Sequence, residues 1–126
     1  MEYKILNPAS INEAFANAYN ARDLNKLLAL YESTAIHVTK DDENTTGIEN
    51  IKKDLEQLLG LNGKMTSVNL STVIHDNIAL LQAKFVLKDA GEKKVLAEGV
   101  TSEVLRKQAD GSWRYIIDRP FSQSNV

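Results

Sequence analysis

The chain has 126 residues, of which 43% are apolar and 25% charged, with six glycines and two prolines. This is the composition of one globular domain, and it excludes disordered, collagen-like and low-complexity chains. The net charge of −2 comes from 15 basic and 17 acidic side chains with no basic cluster, which argues against nucleic-acid binding; the absence of cysteine removes disulfides, thiolate zinc sites and cysteine nucleophiles. A domain of this length buries roughly two-thirds of its unfolded surface, enough for one core. No apolar run approaches the roughly 18 residues that span a bilayer, and residues 1–8 lack the apolar centre of a signal peptide. The expectation is a cytoplasmic protein without a membrane partner.

The first element opens at Ser10. Ser10 and Glu13 have the spacing of a capping box, in which two side chains satisfy orphan amides reciprocally. Ile11, Ala14, Phe15, Ala18 and Tyr19 then follow a 3.6-residue period. Asp23 is placed to cap a second short helix, with Leu24, Leu27, Leu28 and Tyr31 on its apolar face. Residues 35–39 carry β-branched side chains over too short a run for a helix and read as a strand. Residues 40–46 read as a polar turn. Gly47 leads into a third helix through Ile48, Ile51, Leu55, Leu58 and Leu59, closed by Gly60 and Gly63.

From Lys64 onward the pattern is strands and turns. Residues 65–75 and 78–88 flank a hairpin at Asp76-Asn77, residues 95–106 form one strand, and residues 113–118 the last. The order α-α-β-α-β-β-β-β is α+β, because the late strands are too closely linked for crossover helices. In residues 78–88, Ala79, Leu81, Ala83, Phe85 and Leu87 lie on one face and Ile78, Leu80 and Val86 on the other. One face is expected to pack on the helices and the other on a second copy, giving a homodimer; a lone sandwich or stiff edge is the alternative.

Tyr19-Asn20-Ala21-Arg22-Asp23-Leu24, then Leu28-Ala29-Leu30-Tyr31 and Ala35, resemble the helical hairpin of nuclear-transport-factor-2-like proteins. Glu103-Val104-Leu105-Arg106-Lys107 with Asp110-Gly111-Ser112-Trp113-Arg114 resembles the last hairpin of their SnoaL-like, ketosteroid-isomerase-like branch. The resemblance runs over residues 10–121. It implies a cone-shaped α+β barrel, or cystatin-like roll: three N-terminal helices packed on a curved, mostly antiparallel sheet. It also implies an apolar cavity between the layers and dimerisation through the sheet. It implies fold more than chemistry, since the family holds isomerases, cyclases, dehydratases and non-enzymes.

The isomerases of that branch use a carboxylate base and an oxyanion hole built from a tyrosine and a protonated aspartate. By position, the base falls on Thr39 and the oxyanion tyrosine on Phe15, neither of which can serve. Tyr31 matches a supporting tyrosine whose usual partner becomes Leu55, and the oxyanion acid falls on Glu103. A standard ketosteroid isomerase is therefore not expected.

Three residues remain as catalytic candidates. His37 shares a strand face with Ala35 and Thr39, and is either a general base, or a histidine packed at the cone mouth or hydrogen-bonded to the loop at Asp41-Asp42. Glu103 lies on a face with Thr101, and is either a cavity carboxylate or an exposed partner of Arg114. Asp118 alternates with Ile116 and Arg114, a face the resemblance turns to the cavity; it is either a base or ligand-orienting group, or the end of the strand through an Asx turn. Tyr19 and Tyr31 either fill the core or line the pocket as donors; Trp113 reads as structural. The expected lining is Phe15, Tyr19, Tyr31, Thr39, Leu55, Thr101 and Ile116. His37 and His75 lack metal-ligand spacing, residues 41–44 lack the glycine of a calcium loop, and no phosphate cradle or nucleophile elbow occurs, so no metal or cofactor is expected. The function expected is binding of a small apolar molecule, with cofactor-free acid–base chemistry of isomerase, cyclase or hydro-lyase type on a cyclic or carbonyl compound. The alternative is a non-catalytic ligand-binding or dimeric interaction module.

Overall fold

In the computed structural model, which describes residues 4–121, a 3₁₀ turn at Pro8–Ser10 precedes the first helix. The Asn7 side chain accepts from the Ala9 N–H at 3.0 Å, and Pro8 presets the backbone. The Ser10 hydroxyl donates to the Asn7 carbonyl at 2.8 Å. It is therefore committed upstream, and the expected capping box with Glu13 does not form: helix α1 (Ile11–Asn20) starts without a side-chain cap. Its apolar face is as expected, with Ile11, Ala14, Ala18 and Tyr19 buried and Phe15 partly so.

Asp23 caps α2 (Leu24–Ala29) by accepting from the Lys26 N–H at 3.0 Å. This helix is shorter than its apolar pattern. Tyr31 begins strand β1 (Tyr31–Val38), because the Leu30 carbonyl accepts from the Tyr115 N–H at 2.8 Å and draws the chain into the sheet. Part of the expected turn at residues 40–46 is a short strand, β2 (Asn44–Thr46), paired antiparallel with β1. Helix α3 (Ile48–Gly60) follows Gly47, which takes φ 88°. The left-handed residue that ends it is Asn62, at φ 51°, rather than Gly60, which is the last helical residue.

Strands β3 (Lys64–His75) and β4 (Ile78–Lys88) form a long antiparallel hairpin. The single strand expected over residues 95–106 is broken into β5 (Val95–Val100) and β6 (Ser102–Lys107), both paired with β4. Thr101 makes the break: its N–H donates to the Ala83 carbonyl at 2.8 Å and its hydroxyl accepts from the Ala83 N–H at 3.0 Å. With β7 (Trp113–Arg119) the sheet order is β2-β1-β7-β6-β4-β3, β5 lying beside β4. Among the described residues, only the β1–β7 pair is parallel.

The class is thus α+β, three helices on an open, curved, mostly antiparallel sheet. Ile11, Leu27, Ile51, Leu81, Leu87 and Leu105 are fully buried between the layers, each contributing roughly 1.5–3 kcal/mol. The other face of the sheet mixes polar residues such as Gln82 and Lys84 with an exposed apolar row. Strand register sets Ile36, Ile117, Val104, Leu80 and Val73 in one row across five strands. Val73 is 60% exposed, Leu80 49% and Ile117 38%.

Candidate functional site

A cavity of about 460 Å³ opens between the helices and the concave face of the sheet. Its walls are mostly apolar, including Phe15, Leu55, Leu58, Leu61, Met65 and Phe85. Phe121 packs edge-on against Phe85, with ring centroids 5.5 Å apart, and also lines the cavity.

The polar groups come from two rungs of the sheet that flank the outward row of Ile36, Ile117 and Val104. One rung sets Tyr31, Tyr115 and Leu105 side by side on β1, β7 and β6, and the other sets His37, Asp118 and Glu103 on the same three strands. The tyrosines of the first rung serve the carboxyls of the second. Tyr31 donates its hydroxyl to Asp118 Oδ2 at 2.6 Å. Tyr115 donates to Asn12 Oδ1 at 2.6 Å, and Asn12 Nδ2 in turn donates to Glu103 Oε1 at 3.2 Å. The tyrosine rings lie 4.9 Å apart, tilted by 44°. Because Tyr115 occupies the amide oxygen of Asn12, the amide must turn its NH₂ toward Glu103.

Burial sets the protonation of this cluster. Glu103 is 2% exposed. Loss of water, helped by the negative charge of Asp118, pushes its carboxyl up to about 8, against the opposing pull of hydrogen bonds from Thr101 and Asn12. At neutral pH Glu103 therefore keeps a proton. With Oε1 accepting from Asn12, that proton belongs on Oε2, where it is a hydrogen-bond donor. Burial raises Asp118 as well, opposed by the charge of His37 and the Tyr31 hydrogen bond. Burial also raises both tyrosine hydroxyls well above their usual range, so they remain neutral donors. His37 Nδ1 lies 2.8 Å from Asp54 Oδ2 on α3.

The structure brings His37, Glu103 and Asp118 together at one cavity, along with Phe15, Tyr31, Thr39, Leu55 and Thr101. Two expected lining residues do not belong to it. Tyr19 is fully buried in the core, where its hydroxyl donates to the Leu58 carbonyl at 2.9 Å and accepts from the Gly63 N–H at 3.2 Å. Ile116 is an unpaired extra residue in β7, since Leu105 pairs with Tyr115 and Val104 with Ile117. This bulge reverses the alternation, so Asp118 shares its face with Tyr115 rather than with Ile116 and Arg114.

Two of the expected polar contacts do not form. Glu103 is buried rather than exposed against Arg114, and His37 bonds to Asp54 rather than to the loop at residues 41–42. Sequence reasoning missed Asn12, Asp54 and Tyr115. Asn12 carried a usable signal, because it stands three residues before Phe15 on the same helical face. Asp54 stands four and seven residues before Leu58 and Leu61, on the stripe that lines the cavity.

Residues 9–117 match the family model of the SnoaL-like domain. No curated protein matches the chain. Many solved structures share the fold. One, named for a calcium/calmodulin-dependent protein kinase type II association domain from Thiobacillus denitrificans, is 16% identical, with a TM-score of 0.82 over 98% of this chain and 100% of its own. A protein of unknown function with a cystatin-like fold from Nostoc punctiforme is 16% identical, with a TM-score of 0.79 over 100% of this chain and 98% of its own. A ketosteroid isomerase-like protein from Erwinia carotovora is 17% identical, with a TM-score of 0.67 over 90% of each chain. At these identities the likeness is one of fold. Among the described residues, no helix is long and apolar enough to cross a membrane.

Proposed function

The chain belongs to the SnoaL-like domain family, and from that premise we propose that it binds a small apolar, carbonyl-bearing molecule and performs cofactor-free acid–base chemistry on it. The observation that carries this reading is the rung His37–Asp118–Glu103 at an apolar cavity, with Glu103 protonated at neutral pH. A neutral carboxylic acid can donate to a carbonyl oxygen as negative charge develops there. His37 is the base: it removes a proton from the carbon beside the carbonyl and returns it to the same carbon or to one conjugated with it. Asp118, held by Tyr31, balances the charge of the protonated imidazole. The route differs from that of the standard isomerases, since the family resemblance carries their base onto Thr39 and their oxyanion tyrosine onto Phe15.

Those two replacements favour a second reading, a binding module in which the same groups only orient the ligand. Proton exchange of β-tetralone in deuterium oxide, followed by NMR, separates the two. Catalysis predicts saturable exchange at the α-carbon above the buffer rate, falling about a hundredfold in His37→Gln. Saturable binding without exchange would leave the binding module. Absence of any thermal shift with β-tetralone and a panel of apolar ketones, phenols and lactones would sink both.

The working unit we propose is a homodimer through the outer sheet face. A row of five apolar side chains, three of them strongly exposed, is self-complementary under a two-fold axis and exceeds the scattered exposure normal for a monomer. Leu80→Glu places a charge within it. Sedimentation velocity should report a dimer for the native chain and a monomer for the variant; a native monomer at high concentration would end this part of the reading.

A further inference from the structure

We propose that Asp54 is the positioning residue of His37: it takes the Nδ1 proton of the imidazole and so fixes Nε2 as the atom that removes a proton from the ligand. The inference rests on the acid–base reading above, but its geometric basis is independent of any ligand. Asp54 lies on α3 and His37 on β1, so the contact ties the helical layer to the sheet where the two form the cavity. The separation is 2.8 Å, and the side chains are 24% and 17% exposed, sheltered enough to hold one geometry.

A carboxylate only accepts hydrogen bonds, and a neutral imidazole has a single N–H. The proton of the ring therefore sits on Nδ1, and the lone pair on Nε2. No described hydrogen bond engages Nε2. The other carboxyl beside His37 takes a different partner. Asp118 is its neighbour in the strand register and accepts from the Tyr31 hydroxyl at Oδ2, whereas the described hydrogen bond of the imidazole goes to Asp54. The two acids around the histidine are thus divided, one orienting the ring from the helix and one facing it from the sheet.

Asp54 has a second effect during the reaction. When the carbon–hydrogen bond of the ligand breaks, its proton goes to Nε2 and its electron pair moves to the carbonyl oxygen, which accepts from Glu103. The imidazole is then a cation, and Asp54 already stands at hydrogen-bond distance from it. Return of the proton to carbon restores both groups, so the cycle consumes nothing. Neither Asp54 nor its spacing from His37 corresponds to the groups that the isomerase resemblance carried onto Thr39, Phe15 and Glu103.

Nitrogen-15 NMR of the imidazole tests the orienting contact without a ligand. The native protein should show His37 in one tautomer, protonated on Nδ1, and Asp54→Leu should show a mixture. In the β-tetralone assay Asp54→Asn should lower kcat about tenfold or more, part of what a general base supplies, with KM nearly unchanged. Asp54→Glu should recover part of the loss. A mixed tautomer in the native protein, or one that Asp54→Leu leaves unaltered, overturns the proposal whatever the exchange rate. A locked, Asp54-dependent tautomer without exchange removes the acid–base reading instead, and with it the proton-taking role of Nε2.

Discussion

The unfolding free energy of this protein should fall as the pH rises from about 5 to about 8, and Glu103→Gln should remove the part of that fall that Glu103 supplies. The ordinary glutamate value is 4.5, and burial beside Asp118 pushes the folded-state value up to about 8. Below the first value both states hold the proton, so pH has no effect through this group. Between the two values the folded chain keeps a proton that the unfolded chain has lost, so each unit of pH disfavours folding. Above the second value both states are ionised and the penalty is complete. At about 1.4 kcal/mol per unit the full effect is on the order of 4–5 kcal/mol. Gln reproduces the neutral acid: its oxygen can accept from Asn12 while its NH₂ replaces the Oε2 proton as donor. The substitution therefore keeps the local hydrogen bonding and removes the titration. A slope of the same sign should persist in the variant, because burial raises Asp118 in the same direction. Urea unfolding across this range at one protein concentration measures both profiles. Parallel curves for the native and variant proteins would show that Glu103 is not protonated in the fold.

What the sequence revealed of this site depends on where its periodicities hold. Pairing runs without a shift from Ile36 to Val38, and simple alternation correctly groups His37 and Thr39 at the cavity with the buried Ala35. The same counting fails in β7, where one extra residue at Ile116 moves every later side chain to the opposite face. Asp118 was found only because the family resemblance pointed inward, while its true companion Tyr115 was missed. Tyr31 shows the reverse error: four residues after Leu27 it continues a helical stripe, yet backbone bonding at Leu30 has already begun the sheet. Thr101 breaks a strand although threonine is a good strand residue, since the break lies in its double contact with Ala83, invisible in one chain segment. Asp54 and Asn12 were passed over because polar residues on a helix usually face water. Both stand instead on cavity-lining stripes: Phe15 follows Asn12 by one turn, and Leu58 and Leu61 follow Asp54 by one and two.

Two glycines three residues apart should respond to alanine in opposite ways. Gly60→Ala should stabilise the protein by about 0.5–1 kcal/mol, because the position is helical and nothing lies within 4 Å of a Cβ there. Gly63→Ala should destabilise it by about 2–3 kcal/mol. A Cβ at Gly63 would stand 2.5 Å from the Lys88 carbonyl oxygen and 2.7 Å from Leu87 Cδ1. Neither neighbour can give way readily: Lys88 is paired with Lys64 across the β3–β4 ladder, and Leu87 is fully buried. Nor can Gly63 itself retreat without loss, since its N–H donates to the Tyr19 hydroxyl at 3.2 Å and its carbonyl accepts from Arg22 at 2.7 Å. The strain falls on the passage from α3 to β3, which fixes Leu58, Leu61 and Met65 on the cavity wall. Gly63→Ala should therefore weaken β-tetralone binding as well as lower the urea midpoint, whereas Gly60→Ala should raise the midpoint and leave binding alone. A Gly63→Ala protein with native stability and native affinity would mean that β4 can shift outward at Leu87 and Lys88, and that the cavity wall is not held by this close approach.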